Sequence, residues 1–355
     1  MKNVYLFQVN YQMGHGQYTS LWLPYSVASI WAYVEQFDEI KNNFHVKDCI
    51  FKREEFKDVI DRMEDPDVCL FSHYLWNDNY NLELAKLIKE RWPNVHIVFG
   101  GPQVDETASN FLLVNPHVDT VVINEGEVSL HTLLQDYLED DVKPIYHVAR
   151  RVKLEGLPSP FTDSNILQKI VDENPATKWA TCIETNRGCP FKCSFCDWGS
   201  LTQSKITKFD LDKVYKEWDW IVNNGIEYVH IADANFGVFK DRDMEVTESL
   251  VSLQKEYGYP KVVDATWYKN SSEDVLKIVK KFISSGLNRG ITLSVQSMDM
   301  DVLEEIKRRN MEFSNLKEIF DICNKEQIPS YTELILGLPL ETFDSWCKGL
   351  CDVIE

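Results

Sequence analysis

Short apolar runs alternate with longer amphipathic stretches along the whole of this chain. Runs rich in β-branched and aromatic residues read as strands buried on both faces, and the helical periodicity between them reads as helices packed on a sheet. Over the first part this predicts strands at 3–9, 46–51, 68–72, 95–99 and 120–123, with helices at 23–34, 54–63, 81–91, 107–114 and 129–137. Such alternation makes an α/β fold, here a doubly wound, Rossmann-like domain over 1–140. The stretch 141–178 carries Leu157-Pro158-Ser159-Pro160-Phe161 and polar runs at 162–165 and 172–175, which favour an irregular linker. A second series over 179–355 predicts strands at 179–185, 228–231, 261–265, 290–295 and 331–336, and helices at 211–223, 244–257, 273–284, 315–324 and 343–354. Repeated βα units of this kind predict a partial (β/α) barrel of the TIM type, where functional residues gather at the carboxyl ends of the strands.

Composition narrows the class. A hydrophobic content of 44% with 26% charged residues supplies material for two cores. The formal net charge of −19 argues against a surface that tracks phosphates, so no nucleic-acid partner is expected. No apolar run approaches the roughly 20 residues that span a bilayer, and the first residues read as a strand rather than a signal peptide. Nine cysteines, odd in number and unevenly spread, do not form a secreted disulfide framework. The reducing cytoplasm is the expected location.

Three of those cysteines carry the chemistry. Thr185-Asn186-Arg187-Gly188-Cys189-Pro190-Phe191-Lys192-Cys193-Ser194-Phe195-Cys196-Asp197 has the spacing C-x3-C-x2-C, with no fourth cysteine close by. Three thiolates on one loop can bind three irons of a 4Fe–4S cluster and leave the fourth open, whereas closed clusters take four cysteines. The competing readings are a zinc knot or a chance cluster. Zinc sites use paired spacings that supply four ligands, and nothing nearby completes such a set. Gly188 and Pro190 suit a tight loop around the first cysteine.

Cys189-x3-Cys193-x-Phe195-Cys196 resembles the signature of radical S-adenosylmethionine enzymes. The resemblance implies that the open iron binds the amino and carboxylate groups of S-adenosylmethionine. An electron from the cluster then cleaves the sulfonium and gives a 5′-deoxyadenosyl radical, the protein supplying orientation and shielding. It implies an S-adenosylmethionine role for Phe195, and for Asp233 and Asn235 in Asp233-Ala234-Asn235-Phe236-Gly237. A helix cap or ordinary turn is the alternative for that Asp/Asn pair. Ser294, Gln296 and Ser297, in a stretch like the family's fourth-strand motif, offer neutral partners for ribose hydroxyls. Gly337, in Glu333-Leu334-Ile335-Leu336-Gly337-Leu338-Pro339, looks like the family's fifth-strand motif, where the backbone passes the adenine. Thr266 and Lys269 sit where a cation would meet the S-adenosylmethionine carboxylate, although Lys269 equally reads as a solvated loop lysine. Arg308 and Arg309 match the relatives' pattern or a solvated helix face. Cys347 and Cys351, one helical turn apart, read as buried core. Members of this family use six βα units, so the last strand is expected to be missing and the chain to be a fragment or a truncated product.

The first domain resembles the cobalamin-binding module of a large subgroup of the same family. The residues that carry this are Leu23 before Pro24, then Ser72, Trp76 and Asn77 after the third strand, Gly100 and Gly101 after the fourth, and Glu125 and Gly126 after the fifth. Ligands of open α/β sheets sit outside those strand ends. The Asp-x-His-x-x-Gly motif that ligates cobalt from below is absent, so His15 is not expected to be a lower ligand. Together the two resemblances imply a 4Fe–4S cluster, S-adenosylmethionine and cobalamin as cofactors. They imply methylation of an unactivated carbon on a small, natural-product-like substrate, with flavodoxin or ferredoxin as electron donor. The alternatives are a cobalamin-dependent radical rearrangement, cyclisation or oxidation, and a non-catalytic corrinoid or redox sensor.

Overall fold

The computed structural model describes the chain except for residues 16–17, 105–107, 148–151, 197–204, 269–272, 289 and 355, and except for the side chains of 12–19 and 313. Two compact units, Met1–Thr181 and Cys182–Glu355, are each considered by themselves.

The first unit contains strands β1 (Lys2–Phe7), β2 (Gln12–His15), β3 (Tyr18–Trp22), β4 (Phe44–Ile50), β5 (Val68–Ser72), β6 (His96–Gly100), β7 (Thr120–Val122) and β8 (Ile145–Tyr146). A parallel sheet of order β4-β1-β5-β6-β7-β8 forms its centre. Strand β5 is buried along its entire length, as a central parallel strand covered on both faces should be. Phe7, Phe71 and Phe99 sit in register on β1, β5 and β6, with ring centroids 4.1 and 4.8 Å apart. Helix Asp78–Arg91 turns Leu84, Ala85 and Ile88 into the same core.

The order reverses beside β1: the chain crosses from β1 to β4 on one side and then to β5 on the other. A crevice opens at such a reversal, outside the carboxyl ends of β1 and β5.

Local chemistry moved several boundaries. The helix expected from Leu23 starts at Tyr25, because the residue before a proline is pushed out of helical geometry. Leu23 instead stays extended and donates its N–H to the Ala180 carbonyl at 2.8 Å. Strands β2 and β3 form an antiparallel hairpin that the polar, glycine-containing sequence did not announce. The stretch expected to be irregular supplies β8 to the sheet and a helix, Ile166–Glu173, that buries Leu167 and Ile170. A two-residue strand and a two-turn helix are too short to leave a periodic signature.

Strand β9 (Trp179–Ile183) runs across the boundary between the units. The second unit adds β10 (Asn186–Arg187), β11 (Thr207–Lys208), β12 (Tyr228–Phe236), β13 (Val262–Trp267), β14 (Ile291–Thr292) and β15 (Ser330–Tyr331). Its helices span Leu211–Asn223, Lys240–Tyr257, Glu273–Ser284, Met300–Glu305, Phe313–Lys325 and Phe343–Ile354. Parallel pairing joins β12 to β13 and β14 to β15, the βα pattern expected of a partial barrel. Val229, Ile231, Val263, Phe236 and Trp267 are buried, and the last two meet the Phe282 ring of helix Glu273–Ser284. Strand β12 runs five residues past the expected 231, carrying Asp233 and Asn235 inside the strand. Strands β14 and β15 are shorter than expected, and Gln296 just beyond β14 adopts a left-handed φ of 67° that interrupts a ladder. Helix Phe343–Ile354 leaves Cys347 half-buried and Cys351 exposed, so neither is the core residue its spacing suggested. No helix among the described residues is long and apolar enough to cross a membrane.

Candidate functional site

The cysteine loop is held at its base. Strands β10 and β11 pair antiparallel, Asn186 with Lys208 and Arg187 with Thr207, closing the loop between them. Gly188 has a φ of +114°, and a Cβ there would lie 3.1 Å from the Ile206 Cα and the Lys205 carbonyl oxygen. Only glycine fits so close a backbone crossing. Cys189 and Cys193 are buried, Cys196 is half-buried, and the Cys196 N–H donates to the Cys193 carbonyl at 3.1 Å. Further support comes from the Ser194 N–H, 2.9 Å from the Ile306 carbonyl. Phe195 is 38% exposed, an apolar ring left open beside the cysteines.

Asp233 organises the residues leading into the loop. One carboxylate oxygen accepts the backbone N–H groups of Thr185 and Asn186 at 2.7 and 3.0 Å. The other accepts the Thr185 hydroxyl and the Asn186 amide at 2.5 and 2.6 Å. Burial pushes its carboxyl up to about 7, against the pull of these donors. The expected contact with an S-adenosylmethionine ammonium is not what this geometry offers: the four bonds of Asp233 all serve the loop. Arg242 adds a cation, donating to the carbonyls of Thr185 and Phe209 at 3.0 and 2.8 Å.

Asn235 is different. It is 1% exposed, its Nδ2 donates to the Cys189 Sγ at 3.3 Å, and its Oδ1 is buried with no partner among the described residues. A buried acceptor left in this way beside Cys189 suits a charged donor such as an ammonium group.

Across the loop lies Arg308, also buried. Burial lowers the pKa of its guanidinium, and the nearby Cys193, Cys196 and Cys189 oppose that fall. The same group reaches the Ser294 carbonyl and, through Nε, the Asn310 Oδ1 at 2.7 Å. Asn310 in turn donates to the carbonyls of Val295 and Ser297 at 2.7 and 3.2 Å. The Ser194-to-Ile306 backbone bond ties the cysteine loop to this region, and Arg308 and Asn310 hold the segment after β14 in place.

The other expected residues occupy mixed roles. Ser294 Oγ donates to Glu333 at 2.5 Å, and the Ser297 hydroxyl accepts the Asp299 N–H at 3.2 Å, so both already have partners. Gln296 lies opposite Leu334, its N–H donating to the Glu333 carbonyl at 2.8 Å and its carbonyl accepting the Ile335 N–H at 2.9 Å, and its side chain is uncommitted among the described contacts. Gly337 has a φ of +87° with open space where a Cβ would point. Thr266 is exposed on β13; Lys269 and the side chain of His15 lie outside the described residues.

In the first unit the crevice between β1 and β5 is braced by Asn77. Its Nδ2 donates to the carbonyls of Val9 and Ser72 at 3.2 and 3.0 Å, and its Oδ1 accepts the Tyr74 N–H at 2.8 Å. Fully buried, Asn77 shapes the crevice rather than lining it. Trp76 is 45% exposed, stacked on Tyr74 at 4.4 Å and edge-on to Tyr11 at 5.9 Å, an aromatic surface at the strand ends. Gly101, with a φ of +120°, passes so close to His73 that a Cβ would lie 2.6 Å from the His73 carbonyl oxygen. Gly100 packs ordinarily against Val122, and a Cβ on Gly126 would strike Ile30. Glu125 accepts the Val152 N–H at 3.1 Å, and the Ser72 carbonyl also takes a bond from Asn81. His73 went unnoticed in the sequence; it is buried, 2.9 Å from Asp78, and burial lowers its pKa to about 4.

Among the described residues no three His, Cys, Asp or Glu side chains converge on a single ion. A four-iron cluster does not ask for that, since each thiolate binds a different iron. The donor set fits a cluster: three cysteines on a braced loop, an amide N–H donated to one of them, and a buried acceptor without a partner among the described residues alongside. The first unit fits a flat, bulky ligand through its sheet reversal and aromatic surface.

Comparison with known proteins agrees. A family model described as the Radical SAM superfamily matches residues 183–348, and one described as a B12 binding domain matches residues 20–134. The chain is 36% identical to the cobalamin-dependent radical SAM methyltransferase TokK of Streptomyces tokunonensis, over 97% of this chain and 53% of that protein. It is 34% identical to the 2-(S-pantetheinyl)-carbapenam-3-carboxylate methyltransferase of Streptantibioticus cattleyicolor, over 94% of this chain and 51% of the relative. The chain spans about half the length of these curated relatives. The fold is shared with the cobalamin-dependent S-adenosylmethionine radical enzyme OxsB (TM-score 0.72, 16% identity, 100% of this chain and 52% of that one). It is shared too with the radical S-adenosylmethionine methyltransferase TsrM of Kitasatospora setae (TM-score 0.72, 15% identity, 100% and 71%). With a B12-binding domain and a radical SAM domain matched in that order, the chain belongs to the cobalamin-binding-domain-containing radical S-adenosylmethionine family.

Proposed function

We propose that this chain forms the cofactor-bearing part of a cobalamin-dependent radical S-adenosylmethionine methyltransferase acting on an unactivated carbon. The observation that carries the proposal is the braced three-cysteine loop with the orphaned Oδ1 of Asn235 beside Cys189. Residues 1–140 would hold cobalamin and residues 179–355 the cluster, with 141–178 connecting them. When bound, cluster and S-adenosylmethionine would supply a radical that abstracts hydrogen, and cobalamin would supply the methyl group.

The chain's own residues prepare for this. Cys189, Cys193 and Cys196 would bind three irons. Asn235 Oδ1 would accept a hydrogen bond from the S-adenosylmethionine ammonium, while Asp233 keeps Thr185 and Asn186 fixed so that the loop does not drift. Gln296 is placed to meet a ribose hydroxyl. Asn77 and Gly101 set the width of the crevice for the corrin, and Trp76 offers it a flat apolar face. The relative named for a pantetheinylated carbapenam carboxylate supports a small, natural-product-like acceptor. A flavodoxin- or ferredoxin-like donor would supply electrons. The net charge of −19 supports the absence of a nucleic-acid partner, and nine cysteines, odd in number and unevenly spread, support a reducing, cytoplasmic setting.

The test is anaerobic. Protein reconstituted with iron, sulfide and hydroxocobalamin, given reductant and S-adenosylmethionine carrying a labelled methyl group, is expected to show a bound-corrin spectrum. It is also expected to transfer label to the corrin and to release 5′-deoxyadenosine, a release lost in Cys196→Ala. A cluster without corrin uptake would remove cobalamin from the account. Corrin uptake without cysteine-dependent 5′-deoxyadenosine would favour a sensor over an enzyme.

A further inference from the structure

We propose that the exposed lysines around the cysteine loop, Lys192, Lys205 and Lys208, form the docking rim for the acidic face of a flavodoxin that reduces the cluster. The inference rests on the proposed function, in which Cys189, Cys193 and Cys196 hold that cluster and an external carrier supplies its electron.

From Arg187 to Lys208 the chain has four cations and one carboxylate, Asp197, although acidic residues outnumber basic ones 56 to 37 over the whole sequence. Arg187 is neutralised by Glu184 at 2.8 Å. The three lysines are not: all are exposed, and among the described residues none has a carboxylate partner. Lysines on the neighbouring helices are paired instead, Lys240 with Asp274 at 2.7 Å and Lys281 with Glu248 at 3.1 Å. Three uncompensated cations around one loop set up a local positive field on a strongly negative chain.

The backbone places this field at the cluster ligands. Lys192 lies inside the loop, next to Cys193. The Lys205 carbonyl oxygen is 3.1 Å from where a Cβ on Gly188 would stand, and Gly188 precedes Cys189. Lys208 pairs across the ribbon with Asn186, and its ammonium lies 3.8 Å over the half-buried Phe239 ring. An aromatic ring beside ammonium groups suits the apolar edge of a flavin set among carboxylates. Charge complementarity of this kind acts mainly on the rate of encounter. One electron passes from the anionic flavin hydroquinone, which becomes the neutral semiquinone, onto the cluster. No proton moves and no bond forms or breaks. The surplus of carboxylates elsewhere on the chain disfavours the rival occupant of a lysine rim, a nucleic acid.

The test is anaerobic stopped-flow reduction of the reconstituted protein by flavodoxin hydroquinone, with the affinity for oxidised flavodoxin measured alongside. The variants are Lys205→Glu combined with Lys208→Glu, Lys192→Gln, Lys208→Arg and Lys255→Glu. Lys255 is exposed near the far end of helix Lys240–Tyr257, about 22 Å along it from Lys240. The double reversal is expected to lower both rate and affinity about tenfold or more at low ionic strength, a gap that narrows in high salt. Lys192→Gln should fall about threefold, and Lys208→Arg and Lys255→Glu should stay at the wild-type value. Reduction by dithionite should be equal in all of them. Wild-type flavodoxin rates and affinity in the double reversal, with iron retained, would overturn the proposal. So would an equal loss in Lys255→Glu, or a wild-type cluster that dithionite reduces and flavodoxin does not. Loss of DNA-duplex binding in the double reversal, with flavodoxin rates unchanged, would assign the rim to phosphate instead. If the double reversal fails to hold iron, Lys192→Gln decides by the same criteria. Wild-type protein without a dithionite-reducible cluster would refute the ligand assignment itself.

Discussion

Asp233 shows how one buried carboxylate can be read two ways. Its place at the end of a strand suggested a ligand contact; its four hydrogen bonds show a brace for the loop that carries the cysteines. Asp233→Asn would turn an acceptor toward the Asn186 amide into a second donor. Leaving that buried group unsatisfied costs about 1–3 kcal/mol. A chemical-denaturation cycle with Asn186→Ala is expected to recover part of the loss. The pH dependence has a definite sign. With its carboxyl at about 7 in the fold and near 3.8 when unfolded, the native state holds the extra proton between those values. Stability from this group therefore falls as pH rises from about 4 to about 7 and levels off above. Melting curves of wild type and Asp233→Asn across that window should differ in slope in that sense. Glycines divide on the same scale. Gly101→Ala meets the His73 backbone as well as an unfavourable φ, whereas Gly337→Ala meets only the φ. The first is expected to cost clearly more than ~1 kcal/mol and the second about that much, by urea denaturation. None of these roles is visible in sequence, where Asp233, Gly101 and Gly337 carry the same signal as any residue at a strand end.

At the level of elements, two small braces set both sites. The β10–β11 pair depends on Gly188, so Gly188→Ala should prise Arg187 from Thr207 and reduce the iron retained after reconstitution, as measured by a colorimetric iron assay. In the first unit, Asn77→Ala would leave the Val9 and Ser72 carbonyls without their shared donor. It should destabilise by about 2 kcal/mol and weaken hydroxocobalamin binding roughly tenfold in equilibrium titration, leaving iron content unchanged. The long elements were legible because their apolar periodicity is long: β1, β5, β6, helix Asp78–Arg91 and helix Leu211–Asn223 fall where it puts them. The braces were not. Strands β8, β10 and β11 are two residues long, and pairing partners rather than local pattern create them, whereas β14 and β15 stand where strands were expected but keep only two residues each.

For the molecule as a whole, the order of domains and the cofactor class were readable because cluster chemistry forces cysteines into one loop at fixed spacing. Everything that surrounds those cysteines comes from distant segments. Arg308 follows Cys196 by more than a hundred residues, and in sequence a Lys-Arg-Arg run looks like a solvated helix face. Only folding shows that Arg308 is buried, bonded to Asn310 and the Ser294 carbonyl, while Arg309 stays exposed. The same holds for Asn235, whose unpartnered oxygen becomes meaningful once Cys189 is beside it.

The most direct measurement is the electron paramagnetic resonance spectrum of the reconstituted, reduced protein before and after addition of S-adenosylmethionine, with Cys196→Ala alongside. The account predicts a four-iron signal whose g-values change when S-adenosylmethionine binds the open iron, and no such signal in the variant. A four-iron signal indifferent to S-adenosylmethionine, or equal in Cys196→Ala, would contradict it.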